Sequence, residues 1–274
     1  MNMDIISMHT FLIYFKLQGM AFKSMLQFRA DFLVGLLGVV TQNVVNLLAI
    51  GVILGRFYDL AGWTIWEIVF LYSLWVTGSS VYNLLFVHLY ELDEYLAQGS
   101  FDTFLIRPIS PFLLLVTGEV NVGGVADVIF GLAGLSMAMA NLKVQFDVVQ
   151  WMYLGIMLVS AALIQLGITL ALSSVAFWTT RSNALLQAAG QLQWNMTQQY
   201  PLEMFGRGFR ALVTCVIPFA FLNYYPARWL LGKTAPGDPW YILSFLSPLV
   251  AMVLLGFAGV VWQKGIRRYS STGS

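Results

Sequence analysis

The chain has 274 residues, 59% of them hydrophobic and only 10% charged, with a net charge of +1 and a mean hydropathy of +0.76. A water-soluble domain carries roughly 25% charged residues, so this composition excludes a soluble globule and defines an integral membrane protein. The near-neutral charge gives no reason to expect a nucleic-acid partner, and the single cysteine, Cys215, excludes an internal disulfide or a cysteine-built metal site.

The opening residues MNMDIISMHT lack a basic stretch ahead of an apolar one, so no cleavable signal peptide is expected. Residues 8–30 are apolar but interrupted. Lys16, Lys23 and Gln27 recur on one helical stripe, with Phe11, Phe15, Phe22 and Leu26 on another. This pattern predicts an amphipathic helix lying in the inner membrane interface, with Lys16 and Lys23 toward lipid headgroups and Phe15 and Phe22 toward the acyl chains.

Six spans are expected, each needing about 20 apolar residues. Residues 32–54 and 68–87 are the first two, and 123–142 the third, with Asp127 inside it. The uncharged run 148–180 is the fourth, 204–227 the fifth and 239–263 the sixth. The Gln- and Asn-rich stretch 182–203 is expected to form a helix on the cytoplasmic side. Placing both termini in the cytoplasm puts ten Lys and Arg residues inside against four outside, which satisfies the positive-inside rule. Trp63, Trp66, Trp151, Trp178, Trp240 and Trp262 fall near span ends, as an interfacial belt would. The expected fold is therefore all-α: one transmembrane domain over 1–274, an interfacial N-terminal helix and six transmembrane helices. Pro218 removes a hydrogen bond within the fifth span, and Pro226 is expected to end or re-aim it. Residues 223–240 then form either an outer loop or a re-entrant segment.

No catalytic constellation appears. "LLGKT" at 230–234 ends like a phosphate-binding loop, but Ala227 stands where the motif needs its first glycine, and the stretch lies on the expected outer side. His9 and His88 build no H-E-x-x-H, so no metal site is expected. "GLSMA" at 134–138 falls one residue short of a nucleophile elbow and lies within a span, where small residues serve helix packing. Asn43, Asn83, Glu119, Asp127 and Tyr224 are the candidate lining of a translocation path. Glu119 and Asp127, two helical turns apart, would favour a cationic substrate; alternatively both reach cytoplasmic water from an interfacial stretch, which the three glycines of "VTGEVNVGGVAD" favour.

The loop after the second span breaks the apolar pattern. "YELDEYLAQ" places Leu92, Tyr95 and Leu96 at helical spacing, with Glu91, Asp93 and Glu94 between them. Gly99 breaks that turn, Ser100 is placed to cap a second short helix, and Asp102 sits at its positive end. Phe101, Phe104 and Leu105 form an apolar face expected to protrude toward a groove on a soluble partner, and Pro108 stops the helix. The run "QGSFDTFLIRPISP" resembles the G-x-[FL]-D-x-x-L-[IL]-R-P signature of a subgroup of type-2 ATP-binding-cassette transporter permeases, with Gly99, Phe101, Asp102, Leu105, Arg107 and Pro108 on the matching positions. "IPFAFLNYYPARWLLG" resembles that family's block before the last span.

The resemblance implies a division of labour. The permease has no ATPase activity and binds no cofactor. Two nucleotide-binding subunits carry ATP and Mg, and a second permease, identical or homologous, completes the path. By resemblance 91–107 is the coupling element, with Glu91, Asp93, Glu94, Gly99, Phe101, Asp102, Phe104, Leu105, Arg107 and Pro108 contacting the ATPase. The implied activity is export of a hydrophobic or amphipathic substrate, a drug (cationic if the acidic lining holds) or a lipid, across a prokaryotic inner membrane. A stand-alone secondary transporter or channel is the alternative, and it would call for internal repeats or ion-coupling carboxylates.

Overall fold

The computed structural model describes residues 16, 19, 29–56, 61–117, 121–179, 181–194, 200–238 and 240–270. The interfacial helix expected over 8–30, including Phe15, Phe22 and Lys23, lies outside the described residues apart from Lys16, Gly19, Arg29 and Ala30; Lys16 is exposed.

Five long apolar helices form the frame: α1 (Arg29–Arg56), α2 (Ile65–Phe86), α6 (Val122–Leu142), α7 (Val148–Ser174) and α12 (Ser247–Arg268). Their starts are chemically marked. Glu67 accepts the Thr64 N–H at 2.7 Å ahead of α2. Asn121 accepts from Gly123 and Gly124 at the head of α6. Asp147 and Gln150 exchange side-chain to backbone bonds at 2.7 and 3.0 Å at the head of α7. The last span begins at Ser247 rather than 239, because Pro248 suits the first turn of a helix and not its interior. It runs on past Lys264 to Arg267 and Arg268, whose charges suit the negative helix end.

Helices α2 and α7 are the buried centre, and α1, α6 and α12 surround them. Small residues let α2 and α6 approach closely: a Cβ on Gly131 would lie 2.9 Å from the Thr77 backbone nitrogen, and one on Gly134 would strike the Ser73 side chain. Helix α1 is held differently. Of its described side chains only Asn43, Asn46 and Ile50 are buried, while Leu33, Val34, Leu37, Leu48 and Val52 stay exposed, as lipid-facing residues would.

After α2, a 3-10 turn (Val87–Glu91) leads into three short helices, α3 (Leu92–Ala97), α4 (Asp102–Leu105) and α5 (Pro111–Val116). They share one end of the bundle with α8 (Ala176–Thr179) and the close of α12, where Phe101, Phe177, Trp262 and Tyr269 pack ring against ring. Trp262 and Trp63 are thus core residues rather than belt residues, whereas Trp151 and Trp178 are exposed.

The stretch 182–203 corrects the sequence-based topology. Its start lies at the end just described, where the N–H groups of Ser182 and Asn183 donate to Asp93 at 3.4 and 3.2 Å. Helix α9 (Asn183–Leu192) then follows α7, and Gln193 donates to Gln165, deep in α7, at 3.0 Å. Glu203 emerges at the opposite end, paired with Arg228 at 2.8 Å. The described ends of the stretch therefore lie at opposite ends of the bundle instead of both at one end. Gln193 tolerates the interior because it bonds Gln165 of α7.

The expected fifth span does not cross. Helix α10 (Arg207–Ala211), prolonged by a wide turn (Leu212–Val216), meets a second arm at 76°; that arm comprises a 3-10 turn (Phe219–Phe221) and α11 (Tyr224–Leu230). The first arm begins and the second ends near Glu203 and Arg228, and Phe219 at the bend reaches the cleft lined by Gln165 and Gln193. Pro226 starts a helix rather than ending one. It is the third residue of α11, where a missing N–H leaves no bond unmade. Arg207 and Arg210 consequently move to the Glu203 end, which narrows the charge bias from ten against four to eight against six.

Candidate functional site

The short-helix segment 87–108 is a platform with a buried underside. Leu92, Leu96 and Phe101 are fully buried. Gly99 adopts φ +70°, which reverses the chain so that the Phe101 N–H reaches the Tyr95 carbonyl at 3.1 Å. Phe101 points into the bundle, 5.5 Å from the Phe177 ring and 5.3 Å from that of Tyr269. The expectation that it protrudes toward a partner is overturned, since four aromatic neighbours in its own chain offer more burial than a surface position. Asp93 is likewise only 5% exposed and serves as a remote cap for α9. Ser100 does not cap α4: its hydroxyl donates to the Tyr95 carbonyl at 3.3 Å. Asp102 and Phe104 are half-buried, and burial together with the Asp102 carboxylate pushes the Tyr269 phenol up to about 12, so it stays neutral.

What the platform presents outward is different. Glu91, Glu94, Thr103, Leu105, Ile106, Arg107 and Pro108 are exposed. Ile106 is 83% exposed and was not singled out by the sequence. Its apolar, exposed position between Leu105 and Arg107 makes a greasy ridge with one positive charge.

A second polar feature lies within the spans. Asn43 donates to Asp127 at 2.8 Å, Tyr72 donates to Asn43 at 2.7 Å, Asn46 donates to Tyr72 at 3.2 Å, and Gln42 donates to Asn46 at 3.3 Å. Asn83 also bonds Asp127. Three of the expected path residues, Asn43, Asn83 and Asp127, are thus brought together. Glu119 lies outside the described residues. Tyr224 is elsewhere, at the Glu203 end, where it receives a hydrogen bond from Arg228 and packs on Trp63. Two residues missed by the sequence reading, Gln187 and Gln191, are exposed one helical turn apart on α9. Their signal was the amide-rich composition of a stretch bounded by Arg181 and Glu203 with no charge between.

The opposite end is held by charge. Arg228 bonds Glu203, Tyr224 and the Lys233 carbonyl and lies 3.5 Å from Asp238. Lys233 pairs with Glu67 at 2.9 Å, donates to the Gly62 carbonyl and covers the Trp63 ring at 4.8 Å. These bonds fasten the folded-back arms to the start of α2. Among the described residues no group of histidine, cysteine or acidic side chains has metal-site geometry.

Five long apolar helices, a bent pair folded into one end and a short-helix platform at the other define a polytopic membrane protein. The chain belongs to the ABC-2 transporter family: the family described as ABC-2 family transporter protein matches residues 40–273. It is accordingly the multi-pass membrane component of an ABC transporter, a component that works with nucleotide-binding partners. No curated protein and no solved structure matches the chain.

Proposed function

We propose that the chain is the permease subunit of an ATP-driven exporter in a prokaryotic inner membrane, forming half of the pathway for a hydrophobic or amphipathic drug or lipid. Two ATPase subunits, carrying ATP and Mg, dock on the platform end, which faces the cytoplasm together with both termini. A second permease, identical or homologous, completes the pathway. The observation that carries this reading is the outward ridge Leu105–Pro108 on a platform whose underside is locked into the spans by Phe101 and Asp93. A push on that ridge has nowhere to dissipate, because the platform, α8, α9 and the close of α12 share one packed aromatic and hydrogen-bonded base. The exposed amides of α9 and the Asp127 ladder support a polar route through the spans.

The test is a pair of ridge variants. Ile106→Asp and Arg107→Glu should weaken association with the ATPase, read by co-purification and by ATP hydrolysis of the complex, with membrane insertion and Tm unchanged. Full association by both variants would remove the ridge from the coupling path.

A further inference from the structure

We propose, resting on the export reading above, that Asp127 binds the positive charge of a lipophilic cation drawn from the inner half of the membrane. Every hydrogen bond in its ladder points the same way. Gln42 donates to Asn46, Asn46 to Tyr72, Tyr72 to Asn43, and Asn43 to the carboxylate. Donors aligned on one acceptor polarise cumulatively. The protein thus surrounds a carboxyl group within a span with dipoles and no counter-charge. The ion pairs among the described residues are His88–Glu91, Arg228–Glu203, Arg228–Asp238 and Lys233–Glu67, none of which includes Asp127.

Depth and access fit a membrane-soluble cation. Asp127 is the sixth residue of α6, about 8 Å inside its start at 1.5 Å per residue, and it meets Asn43 near the middle of α1. It is half-buried rather than sealed. The ladder also leads to aromatic faces: Tyr72 lies 6.1 Å from Trp75, which lies 6.0 Å from Trp194, and both tryptophans are half-buried. Ring faces attract cations, and most strongly those that carry little hydration. An uncompensated charge at this depth is costly, and a cationic substrate offsets that cost while it is bound.

The experiment uses the full chain in detergent micelles and two near-isosteric probes of opposite charge, tetraphenylphosphonium and tetraphenylborate, with tryptophan fluorescence as the readout. Wild type should bind the cation at least tenfold more tightly than the anion. Asp127→Asn, which keeps the shape and an acceptor, should weaken cation binding by about tenfold or more and abolish the preference, and Asp127→Glu should retain it. Equal binding of the two probes by wild type, or undiminished cation binding by Asp127→Asn, overturns the proposal. Should Asp127→Asn fail to fold, the wild-type preference alone decides. Binding here needs neither ATP nor the ATPase, so a failure leaves the export reading standing, and a failed ATPase association leaves this site standing.

Discussion

Phe101 and Arg107 sit six residues apart in the same loop and do opposite jobs. Phe101 is enclosed by Phe104, Phe177, Trp262 and Tyr269, so Phe101→Ala should cost about 3–5 kcal/mol of stability, seen as a fall in Tm and in folded yield. Arg107 is exposed, so Arg107→Glu should leave Tm within error and change only what the loop touches. An Asp at position 101 therefore damages the fold before it can report on coupling. Asp93 behaves as a structural residue too. Asp93→Ala leaves the first N–H groups of α9 without their acceptor and should cost about 1 kcal/mol, measurable as a lowered Tm; an unchanged Tm would deny the capping role. None of this was legible from the pattern of 91–108, because spacing tells which residues share a face and not which face turns inward. That choice is made by Phe177 and Trp262, which lie 76 and 161 residues further along the chain.

At the scale of elements, four long helices could be read directly: α1, α2, α6 and α7 coincide with the expected apolar runs, the third with Asp127 inside it. The course of 182–203 was hidden by its own solution to burial. Gln193 and Gln165 satisfy each other inside the bundle, and their polarity lowers the hydropathy on which the reading depended. The bent pair 207–230 has the reverse problem, since it is apolar enough to pass for a span yet is turned back by Pro218. Cysteine labelling separates the two topologies. In a Cys215→Ser background, Asn183→Cys and Met204→Cys should react with a membrane-impermeant thiol reagent from opposite sides of the membrane; labelling of both from one side would restore the original assignment. The α2–α6 seam gives a packing prediction as well. Gly131→Ala pushes a methyl group into the Thr77 backbone and should cost about 1–3 kcal/mol, again read as Tm.

For the molecule as a whole, the platform and the charged clamp are two ends of one lever. Between them run α2 and α7, the two most buried spans, and the 182–203 stretch, which is tied to Asp93 at one end and leads to Glu203 at the other. On the export reading proposed above, motion at the ridge would reach the folded-back arms held by Arg228 and Lys233 through these spans. The resemblance carried by 98–111 implied a membrane component that works with separate nucleotide-binding subunits, and membership of the ABC-2 family supports that coarse division. The export reading proposed above requires that this chain move substrate only when an ATPase drives it. The direct measurement is uptake of a lipophilic cation such as tetraphenylphosphonium into inside-out proteoliposomes containing the chain with or without its P-loop ATPase partner. Uptake that requires the ATPase and ATP, and that falls with Arg107→Glu, is the result expected; equal uptake by liposomes holding this chain alone would contradict the account.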